Sequence, residues 1–153
     1  MAAGASNNSN LVASLDTASV GAKSGTATVS FASDGAGSSG FGASAIGDQV
    51  VNLNGAVYGY AQAGLSSNSL DFSARRVGDL AASQTLTVSN LAANDDFHEG
   101  LNATLGAAPV GFSTSGNTAI SNLAAGSSAD ATVTLASSTA GVFRRYARCR
   151  ARV

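Results

Sequence analysis

Short runs of alternating apolar and polar residues, separated by turn-forming residues, are the feature that most constrains this fold. The clearest stretch is residues 70–90, L-D-F-S-A-R-R-V-G-D-L-A-A-S-Q-T-L-T-V-S-N. Apolar and polar residues alternate at 70–73 and again at 85–90, and Val-Gly-Asp at 77–79 is typical of a turn. A period of two over four to eight residues is the pattern of a half-buried antiparallel strand. The sequence therefore predicts a strand-turn-strand hairpin over residues 70–90.

The same alternation predicts further strands along the chain, and no helical pattern with convincing caps competes with it. The other predicted strands are residues 11–15, 26–32, 49–58, 101–105, 111–113, 119–121 and 131–135. Apolar residues share one face in the second and third of these, namely Ala27, Val29 and Phe31, and Val51, Leu53 and Val57. Several short strands with frequent turns are typical of a sandwich. The predicted fold class is an all-β, immunoglobulin-like antiparallel β-sandwich.

Composition limits the size of the core and the classes of protein that fit. The 153 residues allow one domain or slightly more, and with six Phe, three Tyr and no Trp they fill only a thin core. Only 11% of residues are charged, while Ser and Thr abound, which suits a secreted or surface β protein. No run approaches the roughly 18 apolar residues of a membrane span, so no direct membrane insertion is expected. Residues 1–4 lack the features of a signal peptide, and we expect a piece of a longer exported chain.

An internal repeat bears on domain organisation. Residues 11–21 (L-V-A-S-L-D-T-A-S-V-G) match residues 131–141 (A-T-V-T-L-A-S-S-T-A-G) at an offset of 120 residues, about one immunoglobulin-sized domain. We interpret residues 1–60 as the C-terminal strands of one repeat and 61–143 as the N-terminal strands of the next. The sandwich is then incomplete or permuted: the two parts fold together, or their open edges pair between chains.

Residues 144–153 form a basic tail that differs from the rest of the chain. Residues 1–143 contain three basic and nine acidic residues, a net charge of −6, whereas the tail carries five Arg and a charge of +5. One interpretation is an arm for nucleic acid or an anionic surface. The repeat, however, predicts a small residue, Gly and Thr where Arg144, Arg145 and Tyr146 stand. We favour a reading-frame shift after Phe143, and expect no nucleic-acid partner.

Several segments together resemble the bacterial choice-of-anchor D repeats, which are related to the ASH/hydin-type immunoglobulin-like modules. The opening segments of a module are matched by residues 70–90, by G-F-S-T-S-G with I-S-N-L-A-A-G, and by T-V-T-L-A-S-S-T-A-G-V-F. The closing segments are matched by L-D-T-A-S-V-G-A-K-S-G-T-A-T-V-S-F-A-S-D-G and V-N-L-N-G-A-V-Y. The resemblance implies a seven-stranded β-sandwich in large exported or surface-anchored proteins. It implies no catalytic residues, and the Arg-rich end departs from it.

A small acidic cluster is the one candidate metal site. Its residues are Asn94, Asp95, Asp96 and Glu99. Carboxylate and amide oxygens at this density suit Ca²⁺, although the EF-hand spacing is absent. A solvated acidic turn is the alternative, and we favour it.

Other candidate residues do not assemble into a catalytic site. His98 is the only histidine and Cys149 the only cysteine, which leaves neither a nucleophile-base pair nor an ordinary zinc site. Residues 35–40 match G-x-G-x-x-G, but a strand follows instead of the helix that dinucleotide binding requires. Arg75-Arg76 is either an exposed turn pair or a contact for an anionic partner. We predict no enzyme and no cofactor.

The expected function is that of a structural or adhesive repeat in a bacterial secreted or cell-surface protein, acting as a spacer or scaffold. The expected partners are neighbouring repeats of the same chain. The alternative is a ligand-binding module that recognises glycan or a protein partner through loops 33–48 or 91–100. Because glycan sites stack sugars on exposed aromatic rings, Tyr58 and Tyr60 are the side chains on which this alternative depends.

Overall fold

The computed structural model describes residues 4–141 and 149–152, and within them the chain is all-β with every strand pair antiparallel. The strands are β1 (Gly21–Ser33), β2 (Ser44–Val57), β3 (Ala63–Leu65), β4 (Ala82–Asn90), β5 (Leu101–Leu105), β6 (Phe112–Gly116), β7 (Ala119–Leu123), β8 (Ser128–Leu135) and β9 (Cys149–Arg152). These described residues include no helix of the length and hydropathy needed to cross a bilayer.

The chain divides into two compact units, Met1–Val57 and Tyr58–Val153. Packing alone does not identify repeat boundaries, so the assignment of residues 1–60 and 61–143 to successive repeats stays a prediction. Of the predicted basic tail, the structure describes only the strand at 149–152. The segment at which the reading-frame shift is proposed lies outside the described residues.

The first unit is built on one long hairpin. β1 and β2 pair from Gly21 opposite Val57 to Ser33 opposite Ser44, with a bulge between Phe31 and Ala32. The structure therefore confirms that strands lie at the predicted positions 26–32 and 49–58, although both strands begin earlier than predicted. The strand predicted at 11–15 is wrong. β1 and β2 pair only with each other in the described residues, and residues 11–15 form no ladder with either of them.

One face of this hairpin is largely apolar, although it also carries Lys23 and Gln49. Because directly opposed residues point to the same side of a sheet, the pairing of Ala27 with Val51 joins the two predicted apolar faces into one. On this face Phe31 is 42% exposed and Val51 is 47% exposed. Leu15 covers part of it, since its side chain lies over Gly55, where an added Cβ would come within 3.2 Å of it. The rest of the face has no apolar layer against it within the first unit's described residues.

The second unit contains two sheets that share a core. One has the order β3-β4-β8-β6 and the other the order β7-β5-β9. Alternate residues of β4 and β8 point inward, so Leu86, Val88 and Val133 are buried while their neighbours are exposed or half-buried. β5 supplies the opposing layer with Leu101, which is fully buried. The arrangement is consistent with a β-sandwich.

Two clusters form this core, and small residues make up much of it. The first consists of Ala61, Val88, Leu101 and Ala103, with Ile120 and Leu123 packed against it. The second consists of Phe72, Val133 and Leu135, with Leu70, Ala82, Leu105 and Phe112 packed against it. Phe72 and Phe112 meet edge to face, with ring centroids 5.4 Å apart. The thin core expected from the composition is confirmed.

The hairpin predicted over residues 70–90 is wrong in its first half. Residues 70–73 form no strand, and β4 pairs instead with β3 and β8. Ser73 has a φ of 56°, which ends the extended conformation, although Phe72 still points into the core. The turn at 77–79 is confirmed, with Gly78 at a φ of 89° and Asp79 bonded to Arg76. The strand β3 at Ala63–Leu65 is not among the strands predicted from the sequence.

Candidate interaction surface

The loop at 91–100 and the strip at 58–60 lie together at one edge of the second unit. The Gly59 amide donates to the Phe97 carbonyl at 2.8 Å, and the Glu99 amide donates to the Gly59 carbonyl at 3.0 Å. Gly59 is thereby held in a parallel bridge with His98. We call Tyr58, Tyr60 and residues 91–100 the Tyr58 surface. Backbone pairing fixes it against the fold, unlike an untethered loop.

Two tyrosine rings extend from this surface. Tyr58 is 61% exposed and Tyr60 is 78% exposed, and Gly59 between them binds the loop through its backbone groups. The Tyr58 ring lies 5.8 Å from the Phe97 ring, centroid to centroid, at an interplanar angle of 48°. This contact orients Tyr58 while its remaining face stays accessible.

Asn90 holds the base of the loop. It is 1% exposed, and its side-chain oxygen accepts from the amides of Gln62 at 3.0 Å and Ala92 at 3.2 Å. Its side-chain nitrogen donates to the carbonyls of Glu99 at 3.0 Å and Leu123 at 3.1 Å. All of its amide donors and both acceptor positions are therefore satisfied. Residues 62, 92, 99 and 123 are held around one buried side chain.

Asp95 and His98 form a pair within the loop. The Asp95 Oδ1 atom accepts from the Phe97 amide at 2.8 Å and lies 2.7 Å from His98 Nδ1. The hydrogen bond from the His98 side chain, followed by that from the Phe97 amide, lowers the pKa of Asp95 from its ordinary value of 3.8. The pair closes the turn that precedes the Gly59 contact.

Two of the candidate calcium residues, Asp95 and Glu99, make hydrogen bonds to other residues in the described structure. Asp95 binds His98, the Glu99 backbone binds Gly59 and Asn90, and the Cβ of Asn94 lies 2.8 Å from where a Cβ on Gly126 would stand. In residues 4–141, no three His, Cys, Asp or Glu side chains are grouped so that they could hold a metal ion. The proposed calcium site at Asn94, Asp95, Asp96 and Glu99 stays a sequence prediction.

A cavity of about 830 Å³ lies at another part of the second unit. Its lining includes the apolar residues Phe72 and Leu135 and the basic residues Arg75 and Arg76. The Arg75 Nε atom donates to the Phe72 carbonyl at 3.4 Å, and the Arg76 amide donates to Asp79 at 2.8 Å. The arginine pair thus stands in an ordered turn beside an open part of the core.

The glycine-rich loop at 35–40 belongs to the first unit. The amides of Ser38 and Gly40 both donate to the Gly35 carbonyl, at 3.0 and 2.8 Å. Strand β2 follows at Ser44, as the sequence predicted for a loop between antiparallel strands. These two amides are bonded within the loop and do not form the phosphate-binding helix start of a dinucleotide site.

Sequence reasoning missed Asn90 as the centre of this region, although a signal was present. Asn90 lies in the same period-two phase as Leu86 and Val88, which places it on the buried face of β4. A polar residue on a buried face needs hydrogen-bond partners. The bridge between Gly59 and His98 had no sequence signal, because it joins two irregular segments.

Comparison of the chain with protein families, curated proteins and solved structures finds no match.

Proposed function

We propose that this chain is a segment of tandem immunoglobulin-like repeats and acts as a spacer or adhesive scaffold in a bacterial secreted or cell-surface protein. The observation that carries this proposal is the strand order of the second unit. An immunoglobulin-type sandwich places strands A, B, E and D in one sheet and C, F and G in the other. If β3, β4, β5, β6, β8 and β9 are strands A to F, both β3-β4-β8-β6 and the β5-β9 pair follow this order. β7 is then an added strand at the free edge of C.

The internal repeat supports a tandem array. Residues 11–21 match residues 131–141, and residues 131–135 belong to β8, the strand assigned to E. The hairpin β1–β2 follows the first copy of this motif directly. It therefore has the chain position of strands F and G of a preceding repeat. The resemblance to choice-of-anchor D repeats agrees with this order.

The chemistry of the second unit also suits a scaffold. Asn90, the buried polar residue among the described residues of this unit, binds only backbone groups, so it serves to hold strands and loops in place. Function then comes from what the fold presents at its surface. A repeat of this kind adds length to a protein while each module buries its own core.

Protease treatment of intact cells that produce the native protein tests this proposal. We expect an added protease to degrade the chain while a cytoplasmic marker remains intact. Protection of the chain until the cells are lysed would contradict a surface or secreted location. Far-UV circular dichroism of the purified chain should show a β-rich spectrum, and a disordered spectrum would contradict the module itself.

A second candidate function is recognition of glycan or a protein partner at the Tyr58 surface. The exposure of Tyr58 and Tyr60 favours it, since sugar rings stack on accessible aromatic faces. We expect Tyr60→Ala to abolish any binding seen on a glycan array. Leu80→Ala is the matched control, because Leu80 is also highly exposed but lies outside this surface. Equal loss in both variants would contradict a site at the tyrosines.

A further inference from the structure

We propose that the β1–β2 hairpin of one copy of this chain docks on β5 of a second copy, in the position that β9 occupies. The hairpin would extend the sheet β7-β5 and cover the second copy's core with its apolar face. This inference rests on the proposed module architecture. It adds a specific partner, a second copy of the chain, and a specific register.

The register comes from the chain position of β9 relative to the internal repeat. The matched residues end at Gly141, and continuing their offset of 120 residues by position places the strand β9, Cys149–Arg152, on residues 29–32 of β1. β9 pairs with β5 so that Ala151 stands opposite Ala103 and Cys149 stands opposite Leu105. Transfer of this register to β1 places Phe31 opposite Ala103 and Val29 opposite Leu105.

The chemistry at these positions is complementary. Ala103 is buried and Leu105 is half-buried, so both lie on the inward face of β5. Phe31 is large where Ala103 is small, and opposed residues share a face. The neighbouring pair would be Ser30 with Thr104, and both of these are exposed and polar. A register error of one residue would reverse both faces.

Two physical properties of the hairpin favour binding to such a partner. An isolated two-stranded hairpin is at best marginally stable in water, and exposed strand edges bind other strands. The face that carries Phe31 and Val51 would become the inner layer of a sandwich when placed against β4 and β8. Its outer face carries mostly polar residues such as Thr28 and Asn52, with Val50 opposite Thr28 as an apolar exception, which suits contact with solvent.

The reach of the chain excludes docking of the hairpin on its own copy in this register. β1 would run antiparallel to β5, so Gly21 would lie ten residues beyond Phe31, past the Leu105 end, at about 33 Å. Val57 pairs with Gly21 and would lie there too. Gly59 follows Val57 by two residues. Its backbone is hydrogen-bonded to residues 97 and 99, which lie just before the start of β5, at the end opposite to Leu105. Two residues span at most about 7 Å.

Docking in this register therefore needs a second copy, and it predicts an open assembly. Each copy offers one hairpin and one β5 edge, and these are different surfaces. Such a head-to-tail contact produces chains of copies rather than a closed dimer. Binding of the hairpin displaces β9 from β5, because the two occupy the same register.

Sedimentation velocity of the full chain at increasing concentration is the first test. We expect species larger than a dimer to accumulate. Val51→Asp, which places a charge on the apolar face, should give a monomer. Thr28→Asp, on the opposite face of the same hairpin, should assemble like the unmodified chain. A monomer at every concentration, or assembly that persists in Val51→Asp, would overturn the proposal.

Disulfide trapping tests the register independently of any loss of folding. Two differently tagged copies, each with Cys149→Ser, would carry Phe31→Cys and Ala103→Cys respectively. We expect an intermolecular disulfide between them, and none when Ser30→Cys replaces Phe31→Cys. Equal cross-linking by Ser30→Cys would overturn the proposal, as would efficient closure within one copy that carries both cysteines. These failures leave the β-rich spectrum and the protease result of the proposed function unaffected, so the two proposals fail separately.

Discussion

The side-chain amide of Asn90 donates to the carbonyl oxygen of Leu123 at 3.1 Å and so joins the last residue of β4 to the last residue of β7. These strands belong to different sheets of the second unit. A core rich in Ala offers little apolar area with which to hold two sheets together. A buried amide whose hydrogen bonds are all made supplies a directional contact between them.

Asn90→Asp should be among the most destabilising substitutions in the second unit. The new carboxylate would face the carbonyl oxygens of Glu99 and Leu123, which can only accept hydrogen bonds. We expect a loss of about 3 kcal/mol or more in the free energy of unfolding, measured by urea denaturation. Asn102→Ala is the control: Asn102 is exposed and accepts one bond from Asn122, so about 1 kcal/mol is expected. Similar losses in both variants would contradict the role of Asn90.

Leu101→Ala should destabilise the core through the cavity that it leaves. Leu101 is fully buried in the first core cluster, and such substitutions cost about 2–5 kcal/mol. Leu80→Ala, at a highly exposed position, should change the free energy of unfolding by less than about 0.5 kcal/mol. Thermal unfolding followed by circular dichroism measures both. A Leu101→Ala variant as stable as Leu80→Ala would show that the second unit does not fold around β5.

Gly126→Ala should cost more than Gly78→Ala, although both glycines have a positive φ. At Gly126 the φ is 73° and an added Cβ would lie 2.8 Å from the Cβ of Asn94. At Gly78 the φ is 89° and the space is open. Left-handed backbone alone costs about 1–2 kcal/mol for a residue with a Cβ, and the contact adds to this only at Gly126. Equal losses in chemical denaturation would show that loop 91–100 moves aside freely.

The pKa of Asp95 should rise towards 3.8 in the variant His98→Ala, because the largest cause of its depression is the hydrogen bond from His98. A depressed pKa means that the ionised carboxylate is favoured in the folded state. Its contribution to stability is therefore present above the ordinary pKa and is lost as the pH falls through the lowered value. Carboxyl titration by NMR measures this. Tyr60→Ala should leave the pKa of Asp95 unchanged, and an unchanged pKa in His98→Ala would refute the pairing.

The sequence predicted strands well where the alternation of apolar and polar residues was long and where neighbouring strands were available for pairing. β5 has its predicted range, and β4 and β8 contain theirs but begin earlier, because the inward residues of all three meet the opposite sheet. Residues 70–73 alternate equally well but form no strand. There Phe72 is buried while the backbone turns at Ser73. Alternation indicates which side chains are buried. It does not indicate whether a neighbouring strand is available for backbone pairing.

The candidate surface was less predictable because it depends on contacts between distant segments. Tyr58 and Tyr60 were identified from residue type alone. Their position beside loop 91–100 follows from the bonds that Gly59 makes with residues 97 and 99. The short strand β3 has only three residues, too few to display a period. Its position follows from Gln62, which both donates to the Asn90 side chain and accepts from the Leu91 amide.

The hydrogen bonds that hold β3 also determine how the second unit responds to stretching. Three residues of β3 pair with β4, and the bonds of Gly59 and Gln62 hold the segment that precedes it. Hydrogen bonds of an antiparallel ladder lie across the strands. A pull along the axis of β3 loads these bonds simultaneously, in shear, whereas a pull across the sheet opens them one at a time. The direction of the applied force thus sets the tension at which the first strand of the unit detaches.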